Sequence, residues 1–318
     1  MSGNTPVLSE AEKEHFLEKG WVKIPKAFTK KQAEEATKDV WTRLGMSPTD
    51  KSTWSSLRTN MPAAQLRFDA SEFAPRAWAA ATELCGGEER IDPKCRTWWD
   101  TFIVNLGTPE NEGKEVVPKE LDNYHVDGDF FVHYLDSPEQ GLLIIPLFTD
   151  VVPGGGGTYI CPDAMPKVAS WLYDHPEGVS PRMVPRGEPD FEKEMNLDWF
   201  LNLAQTCEDF VEVTGEAGDV YLLHPLMLHS ASTNPLRRVR IITNPPVFLK
   251  EPFCFDRPDG NYSLVERRTI RALGKEAPLD WKIKGPREAV VPARVRRWEK
   301  MKAEEARRLE EARKLIAA

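Results

Sequence analysis

What this 318-residue chain lacks narrows it before anything it contains. No stretch approaches the roughly 18 consecutive apolar residues of a membrane-spanning helix, so a membrane partner is not expected. The opening MSGNTPVLSEAEKEHF has no basic-then-apolar signal pattern, and the final Ile316-Ala317-Ala318 is not a peroxisomal address. Together these give the expectation of a cytoplasmic protein. The five cysteines, Cys85, Cys95, Cys161, Cys207 and Cys254, are odd in number, dispersed and without CxxC spacing. That excludes a zinc ribbon and a disulfide framework and leaves reduced thiols. A basic excess is also missing: 42 Lys and Arg stand against 50 Asp and Glu, a net charge of −8. Nucleic acid is therefore not an expected partner, because phosphate binding needs a concentrated cationic surface.

What remains is the composition of an ordinary globular protein, 41% hydrophobic and 29% charged. Ser9 with Glu12 makes a capping box for a helix over 10–19, and Gly20 stops it. Trp21 to Pro25 then alternates like a strand, and Thr29 opens a second helix through KKQAEEATKDVWTRL. From about 98 to 250 the texture changes to short apolar runs (WWDTFIVNL, GLLIIPLFTDV, GDVYLL, RVRIITNPPVFL) between Gly, Pro and Asp clusters. That pattern predicts a β-sandwich or barrel rather than βαβ units, interrupted by helices at 164–174 and 190–206. The expected fold is α+β with a β-rich core, a jelly roll with helices packed on one face. We expect one domain over 1–291 and a charged helix over 292–318, with Glu304→Arg308 and Glu310→Lys314 at favourable spacing. Its ragged stripe, Val295, Trp298, Met301, Leu309, Ala312 and Ile316, suits docking on the body or on a second copy in a homo-oligomer.

The chemistry concentrates in two segments. Histidine is scarce, at six residues, and one falls in Tyr124-His125-Val126-Asp127 just before the apolar FFVHYL. On an extended chain, side chains two apart share a face, so His125 and Asp127 can offer an imidazole and a carboxylate to one metal ion. By itself an HxD pair is a weak signal, and a lone strand histidine is more often a hydrogen-bonded core residue. A facial triad needs a third ligand from a distant strand, leaving open positions on the ion. The segment GDVYLLHPLMLHSASTNPLRRVR, residues 218–240, offers both His224 and His229, followed by Arg240 in an apolar run. A buried arginine needs an anion, and its planar fork grips a carboxylate with two charge-assisted hydrogen bonds. A dicarboxylate chelating the metal at one end would present its other end to Arg240.

The order HVD, GGGGTYICPDAM, GDVYLLHPLMLHSASTNPLRRVR resembles the phytanoyl-CoA dioxygenase family of Fe(II)/2-oxoglutarate-dependent oxygenases. LSEAEKEHFLEKGWVKIPKAFT is similar to that family's usual opening. The resemblance runs from about residue 8 to 250, and 251–318 match nothing in it. It implies a double-stranded β-helix (jelly roll, cupin-like) and three iron ligands, His125, Asp127 and His229. His229 rather than His224 is implied by its spacing of five residues from Asn234 and eleven from Arg240. Arg240 becomes the implied 2-oxoglutarate anchor, and Thr158 a neighbour of the cosubstrate carboxylate. This chain departs from the family in having Ala231 where a serine is frequent, ICPDAM where a histidine-bearing segment is usual, and Asp122-Asn123 where relatives often have glutamine.

The implied reaction consumes 2-oxoglutarate and O2 at Fe(II), releases succinate and CO2, and oxidises a C–H bond of an organic molecule, hydroxylation being the default. Related halogenases replace the HxD carboxylate with Gly or Ala, so the retained Asp127 points to oxygenation. For a small or medium, partly apolar substrate, Trp99, Phe130 and Phe131 are the candidate contacts, with Trp98 and Tyr134 nearby in sequence. Two other readings fit the same residues: a non-catalytic jelly-roll binding protein, and a different metal serving hydrolysis.

Overall fold

The computed structural model describes residues 7–192, 197–292 and 294–317. The Ser9 hydroxyl accepts from Glu12 N–H at 3.3 Å while the Glu12 carboxylate accepts from Ser9 N–H at 2.7 Å. This box opens the helix Glu10–Lys19. Gly20 closes it with φ +76°, and a Cβ there would sit 2.2 Å from the Met165 sulfur. The chain then enters the strand Trp21–Ile24, which runs antiparallel to Val220–Leu223.

That pair belongs to a four-stranded sheet with Leu142–Pro146 and Pro246–Val247 on its far side. Every residue of Leu142–Pro146 and Val220–Leu223 is buried, so both faces are covered. Alternation along the strands divides them between two cores. Leu142, Ile144, Val220 and Leu222 join the large core with Phe16, Leu84 and Val265. These last three come from the helices Glu10–Lys19, Pro75–Cys85 and Leu264–Ala272. Leu143, Ile145, Tyr221 and Leu223 join a smaller core with Ile160, Met227 and Ile242. The second core backs the cavity described below.

Two three-stranded sheets supply the rest of the frame. One orders Leu228–Ala231, Thr158–Cys161 and Val211–Glu212; the other orders Arg240–Ile242, Ile103–Asn105 and Arg58–Asn60. A two-stranded ribbon pairs Arg67–Asp69 with Thr97–Trp99. The molecule is thus a mixed helix-and-sheet structure whose sheets are small and not closed into one barrel.

Several sequence expectations are corrected. WWDTFIVNL is two strands, because Asp100 leaves the ladder and its carboxylate accepts from the backbone N–H groups of Ala64, Gln65 and Leu66. RVRIITNPPVFL likewise breaks into Arg240–Ile242 and Pro246–Val247. The helix expected after Thr29 splits into Lys30–Thr37 and Val40–Leu44, and Thr37 bonds back to the Ala33 carbonyl at 2.8 Å. Of the helix expected at 190–206, residues 193–196 lie outside the described residues, and Asp198–Gln205 is helical. The helix expected at 164–174 forms over Met165–Asp174.

The C-terminal helix, Arg294–Ala317, docks on the body. Its anchor is polar rather than the apolar stripe alone. Glu305 is buried and meets Arg43 at 2.8 Å, and Arg43 also reaches Asp100 at 3.2 Å and the Pro62 carbonyl at 2.6 Å. Leu309 is buried beside them, whereas Ile316 is exposed. The Glu304–Arg308 and Glu310–Lys314 pairs form at 3.2 and 2.7 Å. Among the described residues no helix is long and apolar enough to cross a membrane.

Candidate metal centre

His125 and His229 are brought together by an isolated antiparallel bridge: each backbone N–H donates to the other's carbonyl at 3.0 Å. Their rings lie 4.4 Å apart, centroid to centroid. In each ring Nδ1 faces a main-chain carbonyl, Asn123 O at 2.7 Å for His125 and Met227 O at 3.0 Å for His229. A neutral imidazole that donates from Nδ1 keeps its Nε2 lone pair free, which is how metal-binding histidines are commonly oriented.

Both Nε2 atoms point at the same carboxylate oxygen, Asp127 Oδ1, at 3.4 Å from His125 and 3.5 Å from His229. Neighbouring ligands around an ion with bonds of about 2.1 Å are separated by roughly 3 Å. The three ligand atoms all lie within 4.8 Å of one another, an arrangement that can hold one metal ion. Asn244 donates to the other oxygen, Asp127 Oδ2, at 3.3 Å and turns Oδ1 toward the histidines. Burial alone would push the Asp127 carboxyl up, but the facing rings of His125 and His229 outweigh it and hold it far below the carboxylate range. Burial would lower His229, but Asp127 raises it overall. Gly128, at φ +122°, turns the chain away directly after Asp127, where a Cβ would meet the Phe131 ring at 2.5 Å.

The triad opens on a cavity of about 450 Å³ whose lining includes Arg58, Phe130, Thr158, Arg240 and Asn244. This is within the range of small-molecule sites. Arg240 is 1% exposed; its Nε donates to Gly156 O at 2.7 Å and its Nη1 to Ile103 O at 3.2 Å. Its Nη2 is buried without a hydrogen-bond partner among the described residues. Burial, and then the like charge of Arg58, lower this guanidinium to about 9. A cationic fork with one arm unsatisfied, on the wall of the cavity that holds the triad, fits an anion's carboxylate. Thr158 stands directly across the ladder from Ala231, and both line the cavity.

Of the aromatic substrate candidates, Phe130 lines this cavity. Phe131 does not: it is buried and stacked on His133, 4.4 Å between centroids. Trp99 lines an adjoining cavity of about 520 Å³ that shares Thr101, Pro245 and Pro246 with the first. Trp98 is buried, and Tyr134 is spent on the carbonyls of Glu177 and Pro286. His224 is far from the triad's chemistry: its Nδ1 accepts from Leu226 N–H at 3.1 Å, and its Nε2 bonds Thr269 Oγ1 at 2.9 Å. Sequence reasoning missed Arg58, Asn244 and Arg294, which also lines the cavity and forms a two-point ion pair with Asp129. None of them carries a motif; only the proximity of Asn244 to Arg240 in the chain was a signal.

No family model matches the chain, and no curated protein matches its sequence. Among solved structures it is similar to the non-heme alpha-ketoglutarate-dependent carbocyclase SnoK from nogalamycin biosynthesis, at 17% identity over 78% of this chain and 87% of that one, with a TM-score of 0.42. The epimerase SnoN, solved with Fe3+, alpha-ketoglutarate and nogalamycin RO, gives 15% identity, coverage of 90% and 96%, and a TM-score of 0.36. EctD from S. alaskensis, solved with 2-oxoglutarate and 5-hydroxyectoine, gives 14%, 78% and 77%, and 0.38. At this distance the likeness carries no argument about chemistry, which rests on the residues of this chain.

Proposed function

We propose that this chain is a non-haem Fe(II)/2-oxoglutarate-dependent oxygenase, similar to the phytanoyl-CoA dioxygenase family and built on a double-stranded β-helix. His125, Asp127 and His229 are its iron ligands, and its substrate is a small or medium, partly apolar organic molecule. The observation that supports the reading best is the unsatisfied, buried Arg240 Nη2 on the wall of the cavity that also holds the triad. A dicarboxylate chelating the metal at one end would give that arm its partner at the other.

Iron of this kind, when bound, supplies the O2-dependent decarboxylation of 2-oxoglutarate to succinate and CO2, coupled to oxidation of a C–H bond, by default as hydroxylation. The protein's own residues then have separate tasks. Asn244 fixes which oxygen of Asp127 faces the ion. Arg240, with the Thr158 hydroxyl beside it, holds the distal carboxylate of 2-oxoglutarate and so sets the direction in which it lies. Leu143, Ile145 and Ile242 line the cavity and make part of its wall apolar, excluding water from the reacting groups.

Anaerobic titration of the protein with Fe(II) and 2-oxoglutarate tests this reading. The expected result is a visible charge-transfer band of the chelate, and iron-dependent succinate formation once O2 is admitted. Iron affinity without either response would favour a binding protein, and turnover without O2 uptake would favour hydrolysis at another metal.

A further inference from the structure

The cavity holds a second arginine that the proposed reaction does not use. Arg58 occupies the strand Arg58–Asn60, where it is the register partner of Asn105; Asn105 on its other side is the partner of Arg240. Residues directly opposite on adjacent strands project from the same face, so Arg58 and Arg240 stand two strands apart, roughly 10 Å between backbones, on one face of the sheet. Both line the cavity. Arg58 is partly buried, and among the described residues its guanidinium makes no hydrogen bond or ion pair. The opposite charge that acts on it comes from Asp122, which is exposed.

The charges of the site leave Arg58 over. Arg294 is matched by Asp129, and Arg182 is already engaged. With the proposed cosubstrate in place, a divalent metal, the Asp127 carboxylate, the dianion of 2-oxoglutarate and Arg240 cancel. Apart from the exposed, water-screened Asp122, nothing then compensates Arg58, which faces the space left for substrate. A partly desolvated charge without a partner is costly, and the cost is recovered when a ligand brings the anion. The planar fork favours a carboxylate, and a single positive charge suits a monoanion better than a phosphate dianion.

We infer that the substrate carries a carboxylate and that Arg58 binds it, the apolar body lying against Phe130, Leu143 and Ile145. This rests on the oxygenase reading and adds the substrate's chemical class. Arg58 is a specificity residue, distinct from the Arg240 anchor of the cosubstrate.

The test uses matched probes, octanoate with octanamide and 3-phenylpropanoate with 3-phenylpropanamide. They are added at millimolar concentration to the protein with Fe(II) and 2-oxoglutarate under anaerobic conditions. The readouts are perturbation of the chelate band and the shift in Tm. The acids are expected to perturb the wild-type complex and raise its Tm while the amides do not. Arg58→Met should bring the acid response down to the amide level, and Arg58→Lys should keep part of the preference. In Arg58→Met the affinity for 2-oxoglutarate should stay within about threefold, and the Tm without probes should be unchanged or higher, since an unpaired charge has been removed. Equal responses to acid and amide, or no response to either acid, would overturn the inference. So would a tenfold or greater loss of 2-oxoglutarate affinity in Arg58→Met, which would put Arg58 in the cosubstrate grip. A Tm several degrees lower with the acid preference intact would make Arg58 structural. Absence of the chelate band in the wild type is a different failure, that of the oxygenase reading. The Tm arm, repeated without iron, still reports whether Arg58 binds a carboxylate.

Discussion

His125 and His229 are joined through their main chains, each donating its N–H to the other's carbonyl at 3.0 Å, although 104 residues separate them in the chain. The bridge sets both rings on one side of the backbone with Nε2 toward Asp127. Because His229 completes the triad and His224 is held by Leu226 and Thr269, the two nearby histidines should respond oppositely. His229→Ala should lower Fe(II) affinity by at least a hundredfold, beyond any loss of stability from removing its own buried ring. His224→Ala should retain Fe(II) affinity and lose stability, by about 2–4 kcal/mol for a buried, hydrogen-bonded ring. Equilibrium Fe(II) titration beside denaturant melts reads both, and retention of iron by His229→Ala would remove it from the ligand set.

How much of this was visible in the sequence depends on the range of the interaction. His125 and Asp127 were legible because two positions apart on an extended strand is a local rule. The Ser9–Glu12 box and Gly20 were legible for the same reason. The pairing of Arg58 with Arg240 through Asn105 was not, because register between strands almost two hundred residues apart leaves no local trace. Asp100 was read as part of a strand because nothing beside it announces the three N–H groups of 64–66 that it serves. Phe131 was read as a substrate contact from its closeness to Asp127, but the turn at Gly128 sends it into the core against His133.

Asn244 would reach a metal held by the proposed triad only through Asp127. Partners that orient a ligand typically contribute ten- to hundredfold in metal affinity. Asn244→Ala should therefore weaken Fe(II) binding by about that factor while leaving the three ligands in place. Asn244→Gln, with a longer arm, should not restore it. Unchanged affinity in Asn244→Ala would mean that the 3.3 Å contact contributes nothing to the site.

The Thr158–Ala231 pair makes a reciprocal prediction. In the proposed 2-oxoglutarate site, Thr158→Val removes one hydroxyl and should raise the KM for 2-oxoglutarate by about fivefold to tenfold, the size of one hydrogen bond of roughly 1–1.4 kcal/mol. Ala231 lies directly opposite on the ladder, so Ala231→Ser in the Thr158→Val background should recover part of that loss. Steady-state succinate formation measures both. A double variant no better than Thr158→Val alone would show that only the position of Thr158 reaches the cosubstrate.

The C-terminal helix is tied down by an ion pair that is almost wholly shielded from water, Arg43 with Glu305. Removing Glu305 leaves Arg43 with Asp100 as its buried counter-charge, so the cost is that of one charge-assisted hydrogen bond, about 1.5–3 kcal/mol. Glu305→Ala should therefore destabilise the protein by that amount, far more than the exposed Glu310→Ala, which should cost about 0.3–0.5 kcal/mol. Because Arg294 and Trp298 of the same helix line the cavity, loosening it should also raise the proteolysis rate near 294–300. Equal Tm values for the two variants would mean that the helix is held by Leu309 and its apolar contacts instead.

Acid should weaken the fold through two buried histidines. Burial holds His224 down at about 3 and His133 at about 4, against an ordinary value near 6.5. Both are neutral in the folded chain while their unfolded counterparts take up a proton below about pH 6.5. The unfolded state therefore binds more protons in this window, and stability falls as pH falls. The loss begins near pH 6.5 and continues to about 4 for His133 and about 3 for His224, at up to about 1.4 kcal/mol per pH unit for each. Above pH 6.5 neither contributes any slope. His224→Gln keeps a polar group able to meet Thr269 but cannot titrate, so it should remove one such increment from the slope between pH 6 and 4. Urea melts at half-unit pH steps measure this directly, and parallel slopes for the two proteins would show that His224 is protonated in the fold.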